Sequence, residues 1–65
     1  MQLTVNGKPI EFTGTTVCEL LVKLGIDPAL VAVERNTEIV PKKLYESMSL
    51  GDGDRIEIVH FVGGG

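Results

Sequence analysis

The chain has 65 residues, 43% hydrophobic and 23% charged, which suits one small folded core and leaves no room for a two-domain enzyme. Six Lys and Arg against nine Asp and Glu give a formal net charge of -3; with a pI near 4.9, the field repels phosphate backbones and anionic lipid, so neither nucleic acid nor a membrane is an expected partner. The single Cys and single His exclude an internal disulfide and a four-ligand Cys/His zinc site within the chain. No apolar run approaches the roughly 20 residues that cross a bilayer. The opening Met1-Gln2-Leu3-Thr4 lacks the basic region of a secretion signal, and a cytoplasmic location is expected.

Met1, Leu3 and Val5 alternate with Gln2, Thr4 and Asn6, the period of a strand with one buried face. Asn6-Gly7 tolerates the positive φ of a tight hairpin and predicts a reversal into a second strand at Ile10-Glu11-Phe12. Pro9, with no N–H to donate, places that strand at an edge or at the start of its pairing. From Thr16 the period changes: Val17, Leu20, Leu21 and Leu24 follow the spacing of one helical face. Thr16 and Glu19 match a capping box, Gly25 suits the left-handed residue that ends a helix, and Asp27-Pro28 enforces the break.

Leu30 to Glu34 reads as a third, central strand because nearly every position is apolar or β-branched. Arg35 to Glu38 turns the chain, and Ile39-Val40 is a short strand ended by Pro41. Lys42 to Ser47 holds at most one helical turn, with Leu44 and Tyr45 directed inward. Gly51-Asp52-Gly53-Asp54 is a polar turn leading into a last strand, Arg55 to Val59. Placing the first and last strands side by side under one helix buries every apolar face. This predicts an α+β fold of the β-grasp (ubiquitin-like) type, a mixed four- to five-stranded sheet with one main helix packed across it. Residues 1–62 form the expected domain and 63–65 a flexible C-terminal glycine tail.

Little here looks catalytic. His60, the only imidazole, reads as a solvated rim residue, and no general base is nominated. Cys18 lies in the first turn of the helix, where the dipole favours a thiolate, but it reads as a small filler beside Leu21 and Val22. Asp52 and Asp54 lack the remaining ligands of a calcium loop, and their charge opposes a phosphate cradle. A turn accounts for them.

The unusual feature is Phe61-Val62-Gly63-Gly64-Gly65. Three glycines contribute nothing to packing and read either as a frayed end or as a side-chain-free strand of roughly 10 Å able to thread a narrow partner site where any Cβ would clash. In the second reading the reactive group is the Gly65 carboxylate, ionised at neutral pH and in need of activation, which adenylation by ATP supplies. Strand parity sets Glu57, Val59 and Phe61 opposite Ile56 and Ile58. Exposed Val59 and Phe61 favour a docking patch; the alternative is that Phe61 tucks over the sheet edge.

With these residues the chain resembles the ThiS family, the bacterial sulfur carrier proteins of thiamine biosynthesis. The likeness covers essentially the whole chain: Val5-Asn6-Gly7, Val33-Glu34-Arg35-Asn36, Glu38-Ile39-Val40-Pro41, and Asp52 through Val62 running into the glycines. Family members typically end in two glycines, matched by Gly64 and Gly65; Gly63 is additional and alters the reach of the tail. The resemblance implies a protein co-substrate and not an enzyme, with no catalytic residue, metal or bound cofactor. A ThiF-like adenylating enzyme would use ATP to activate Gly65. A sulfur donor such as a cysteine desulfurase would convert it to a thiocarboxylate, and a ThiG-like thiazole synthase would take the sulfur for the thiazole ring. Gly63 and Gly64 would thread the partner's active site, and Glu57, Val59, Phe61 and Val62 would dock. The small subunit of molybdopterin synthase is similar but usually longer, and Glu34-Arg35-Asn36 with His60-Phe61-Val62 favours the thiazole branch. A ubiquitin-like modifier or a non-catalytic interaction module is the alternative of a different class.

Overall fold

In the computed structural model, which describes residues 1–61, the opening alternation forms strand β1, Gln2–Val5, with Leu3 and Val5 buried. Asn6 and Gly7 follow at φ +48° and +82°, the pair of left-handed residues that a two-residue hairpin requires. The chain returns as β2, Lys8–Glu11. Pro9 is accommodated because β2 is the outermost strand on its side. The strand begins earlier than the sequence predicts and stops before Phe12, which leaves the sheet to become a buried wedge, 2% exposed.

Helix α1, Val17–Lys23, is capped as expected. The Thr16 hydroxyl accepts the Glu19 N–H at 3.2 Å, and Glu19 Oε1 accepts the N–H groups of Thr16 and Thr15, each at 3.0 Å. Those two backbone bonds, Thr16 first, hold the Glu19 carboxyl below its ordinary range. At the other end Gly25, φ +72°, donates to Val22 O and Ile26 donates to Leu21 O, which is a Schellman closure. Val17, Leu20 and Leu21 are buried. Val22 is not, being 67% exposed; it lies one helical turn from Cys18 and lines the same surface groove. Half-buried Cys18 packs against the core and donates its N–H to Tyr45 O.

A 3-10 turn at Pro28–Leu30, capped by the Asp27 side chain, delays the third strand by one residue. Strand β3 is Val31–Arg35 and β4 is Glu38–Val40. Between them Asn36 and Thr37 take φ +50° and +74°. A second 3-10 turn, Lys42–Leu44, brings in Tyr45, whose buried hydroxyl donates to Val31 O at 3.2 Å. The last strand, β5, is Arg55–His60.

The sheet order is β2-β1-β5-β3-β4, so β5 holds the middle and β3 is an interior strand with a neighbour on each side, as its apolar run predicts. It runs parallel to β1 and antiparallel to β3. Leu3, Val5, Val31, Val33, Ile56 and Ile58 from one face of the sheet share a core cluster with Val17, Leu20 and Leu21 of the helix. A mixed five-stranded sheet with one helix is the expected β-grasp arrangement. The boundary expected after residue 62 lies outside the described residues.

The loop from Phe12 to the helix has one position with no tolerance. A Cβ on Gly14 would stand 2.5 Å from Cζ of the Phe12 ring, and that ring has no exposed side toward which to yield. Gly14→Ala is expected to cost about 1–3 kcal/mol through overpacking, read as a lower urea midpoint at unchanged slope. An unaltered midpoint would show that the ring moves freely.

The turn before β5 is more than a reversal. Asp52 Oδ1 accepts the Gln2 N–H at 2.6 Å, and the Gly53 N–H bonds to Gln2 O at 2.7 Å, which ties the turn to β1. Asp54 is buried, 8% exposed. Its Oδ2 accepts the Gly51 N–H and Arg35 Nε, both at 2.7 Å, and its Oδ1 accepts Asn36 Nδ2 at 3.0 Å. Burial by itself would raise this carboxyl; the Gly51 N–H, the Asn36 amide and the Arg35 guanidinium outweigh it and hold the group below the usual range.

Candidate functional site

Strand β5 carries the chain from the middle of the sheet toward its last residues, and the two faces of the strand differ sharply. Ile56 and Ile58 are buried; Glu57 and Val59 point the other way and are exposed. Cross-strand pairing sets Ala32 opposite Val59 and Glu34 opposite Glu57, while Ile39 lies opposite Glu34 on the far side. The outward face of β4, β3 and β5 therefore presents Ile39 and Val59, 74% and 59% exposed, around a pair of facing glutamates. Like charges directly opposite one another disfavour the sheet. An apolar and acidic face of this kind is complementary to a partner offering apolar and basic groups.

Phe61 follows the end of β5. Its N–H donates to Leu30 O at 2.9 Å, and its ring faces the Lys42 ammonium, with Nζ 4.7 Å from the centroid. Lys42 is itself fixed by donating to Ala29 O at 2.8 Å, an arrangement in which a cation and an aromatic face attract. Phe61 stays 56% exposed and Leu30 55%. The ring is thus exposed, with one cation reaching it from the 3-10 turn at Lys42–Leu44. His60 is exposed at the strand end.

Among the expected site residues, Glu57, Val59 and Phe61 fall together on this strand and its exit. Val62, Gly63, Gly64 and Gly65 lie outside the described residues. Sequence reasoning missed Leu30, Ile39 and Lys42. Ile39 was within reach, since strand parity forces one of Ile39-Val40 outward once Val40 is buried. Leu30 was masked by its apolar neighbours; the signal was Pro28, favoured in the first turn of a helix. Two open grooves, about 380 and 230 Å³, flank Cys18, and neither is lined by β5. Among the described residues no group of three His, Cys, Asp or Glu side chains could hold a metal ion, and no helix is long and apolar enough to cross a membrane.

Comparison with known proteins matches residues 3–65 to the ThiS family model. The chain is 47% identical to the sulfur carrier protein ThiS of Bacillus subtilis over 66 aligned positions, covering 97% of this chain and 98% of that protein. It is 52% identical to a thiazole synthase of Paramagnetospirillum magneticum and 46% identical to one of Magnetococcus marinus. Those matches cover all of this chain and 20% of each relative, so the chain spans a fifth of their length. A crystal structure of a thiamine biosynthesis protein (ThiS) from Geobacter metallireducens superposes over the whole of both chains, with a TM-score of 0.85 and 39% identity. The β-grasp sheet and helix, the family match across almost every residue and the full-length likeness to a sulfur carrier agree, and the chain belongs to the ThiS family.

Proposed function

We propose that this chain is a sulfur carrier for thiamine biosynthesis that holds sulfur as a thiocarboxylate on Gly65 and delivers it to thiazole synthase. The observation that carries this reading is the course of β5. The strand is locked into the sheet centre by buried Ile56 and Ile58, ends beside exposed Val59 and Phe61, and is followed in the sequence, after Phe61 and Val62, by three residues without side chains. The named functions of the Bacillus subtilis carrier and of the two thiazole synthases support it.

In this reading the Gly65 carboxylate, required to be free, attacks the α-phosphorus of ATP on a ThiF-like enzyme. A P–O bond forms and pyrophosphate leaves, giving an acyl-adenylate. A persulfide sulfur, such as that made by a cysteine desulfurase, then attacks the acyl carbon and expels AMP. A thiol cleaves the resulting acyl disulfide, leaving the thiocarboxylate and a mixed disulfide. The carrier supplies no acid, base or metal. Its Glu57, Val59, Phe61 and Val62 dock, and Gly63 and Gly64 fit the partner's channel because they carry no Cβ.

The test is transfer. Thiocarboxylated chain, incubated with thiazole synthase, deoxyxylulose phosphate and a glycine-derived imine, is expected to yield thiazole phosphate and return to the carboxylate. Loaded chain that keeps its sulfur under these conditions would count against the thiazole assignment.

A further inference from the structure

The grip on β5 depends on two side chains that the hairpins supply. Along this strand the backbone groups alternate between neighbours. Arg55 O accepts the Asn36 N–H at 2.8 Å and the Phe61 N–H reaches Leu30 O at 2.9 Å, both on the β3 side, while Ile56 O accepts the Asn6 N–H at 2.8 Å on the β1 side. Ile58 therefore faces β1 as well, but the β1 ladder ends at Val5 opposite Ile56, because Asn6-Gly7 turns away. The Asn6 carboxamide fills the gap. Its Oδ1 accepts the Ile58 N–H at 2.7 Å, and its Nδ2 donates to Ile58 O at 3.2 Å. A carboxamide carries the same donor and acceptor as a peptide group, so Asn6 acts as one further strand residue. Beyond Ile58 the described β1 side offers no other strand residue, and β5 is held from the β3 side alone through Phe61.

We propose that Asn6 is a positioning residue for sulfur loading: by fixing β5 at Ile58 it sets the direction in which the strand hands the glycine tail to the adenylating enzyme. This rests on the carrier function above. Asn36 provides an internal control. Its carboxamide makes one bond at the start of the same strand, accepting the Arg55 N–H on Oδ1 at 2.9 Å while its Nδ2 donates to Asp54, and there β5 is already flanked by β1 and β3. Both asparagines have positive φ, +48° and +50°, so glycine replaces either without backbone strain.

Asn6→Gly and Asn36→Gly are to be compared with wild type in ATP-dependent thiocarboxylation by a ThiF-like adenylating enzyme, well below the lower melting point. Asn6→Gly is expected to raise the KM for the carrier roughly 5- to 30-fold at nearly unchanged kcat, the factor for re-ordering about one residue on docking. Asn36→Gly should lower the melting point and keep the KM within about 2-fold of wild type, since loss of stability alone leaves the exit of the strand unchanged. If Asn6→Gly does not fold, Asn6→Asp, which keeps the acceptor and loses the donor, takes its place. An unchanged KM in the Asn6 variant, or an equal rise in both, overturns the proposal. A wild-type chain that is never loaded overturns the carrier function itself and, with it, this inference.

Discussion

Removal of Gly65 is expected to lower thiocarboxylation by at least about 100-fold while shifting the melting point by less than roughly 4 °C. The two halves of that result have separate causes. Among the described residues every member of the core cluster lies between Leu3 and Ile58; a glycine has no side chain to add to such a cluster, and a change that removes no side-chain packing usually stays within about 0.5 kcal/mol, which for a domain of this size is a few degrees at most. Reactivity is far less forgiving. Losing one extended residue draws the terminal carboxylate back by about 3.5 Å, as long as the whole approach distance of an attacking oxygen, and misplacement by about 1 Å can already cost 100-fold. Gly64 would then be the last residue, so the variant still ends in two glycines and has a carboxylate of the same chemistry. Its failure would isolate reach as the cause. A variant loaded at the wild-type rate would show that the chain beyond Phe61 adjusts to the partner, and a large fall in melting point would show that the tail belongs to the packed body.

The second large effect is expected at Asp54. Asp54→Ala leaves the Gly51 N–H, the Asn36 amide and the Arg35 guanidinium without their shared acceptor. Bonds to a charged, nearly buried carboxylate are worth more than neutral ones, while Arg35, with a side chain 34% exposed, regains part of its hydration. A loss of about 2–4 kcal/mol follows, or a fall in melting point of more than about 10 °C. The pH dependence has a definite sign. Folding lowers the Asp54 pKa, so its contribution is complete above the unfolded value, near 3.9, and is lost as the pH falls through the lower folded value. Wild type should therefore lose more stability than Asp54→Asn between about pH 5 and pH 2, measured by thermal melts across that range. Parallel curves would show that the carboxylate contributes no charge-dependent stability.

Asp54 also marks where sequence reading stopped. A carboxylate between Gly53 and Arg55 reads as a solvated turn residue, and its burial depends on Arg35 and Asn36, which lie 19 and 18 positions away. Local signals were legible because their physics is local. Thr16 and Glu19 satisfy each other's backbone within one helical turn, Asn6-Gly7 tolerates the φ values its hairpin requires, and alternation in β5 separates Ile56 and Ile58 from Glu57 and Val59. The second role of Asn6 was illegible for the opposite reason, since its side chain bonds to Ile58, 52 positions away, and this requires knowing that β5 lies parallel to β1. The same limit hid Lys42, whose approach to Phe61 is set by how two 3-10 turns meet at the end of the sheet. Parity was a sound guide to Val59 but could not supply the cation beside Phe61.

The most direct measurement is the intact mass of the full chain after incubation with ATP, a sulfur donor, a thiol and a ThiF-like adenylating enzyme, with fragmentation to locate any change. The carrier function predicts a free Gly65 carboxylate beforehand and replacement of one oxygen by sulfur on that residue afterwards, strictly dependent on ATP. An unchanged mass with an enzyme that loads another member of the family, or an isopeptide adduct to a protein lysine in place of the sulfur, would contradict it.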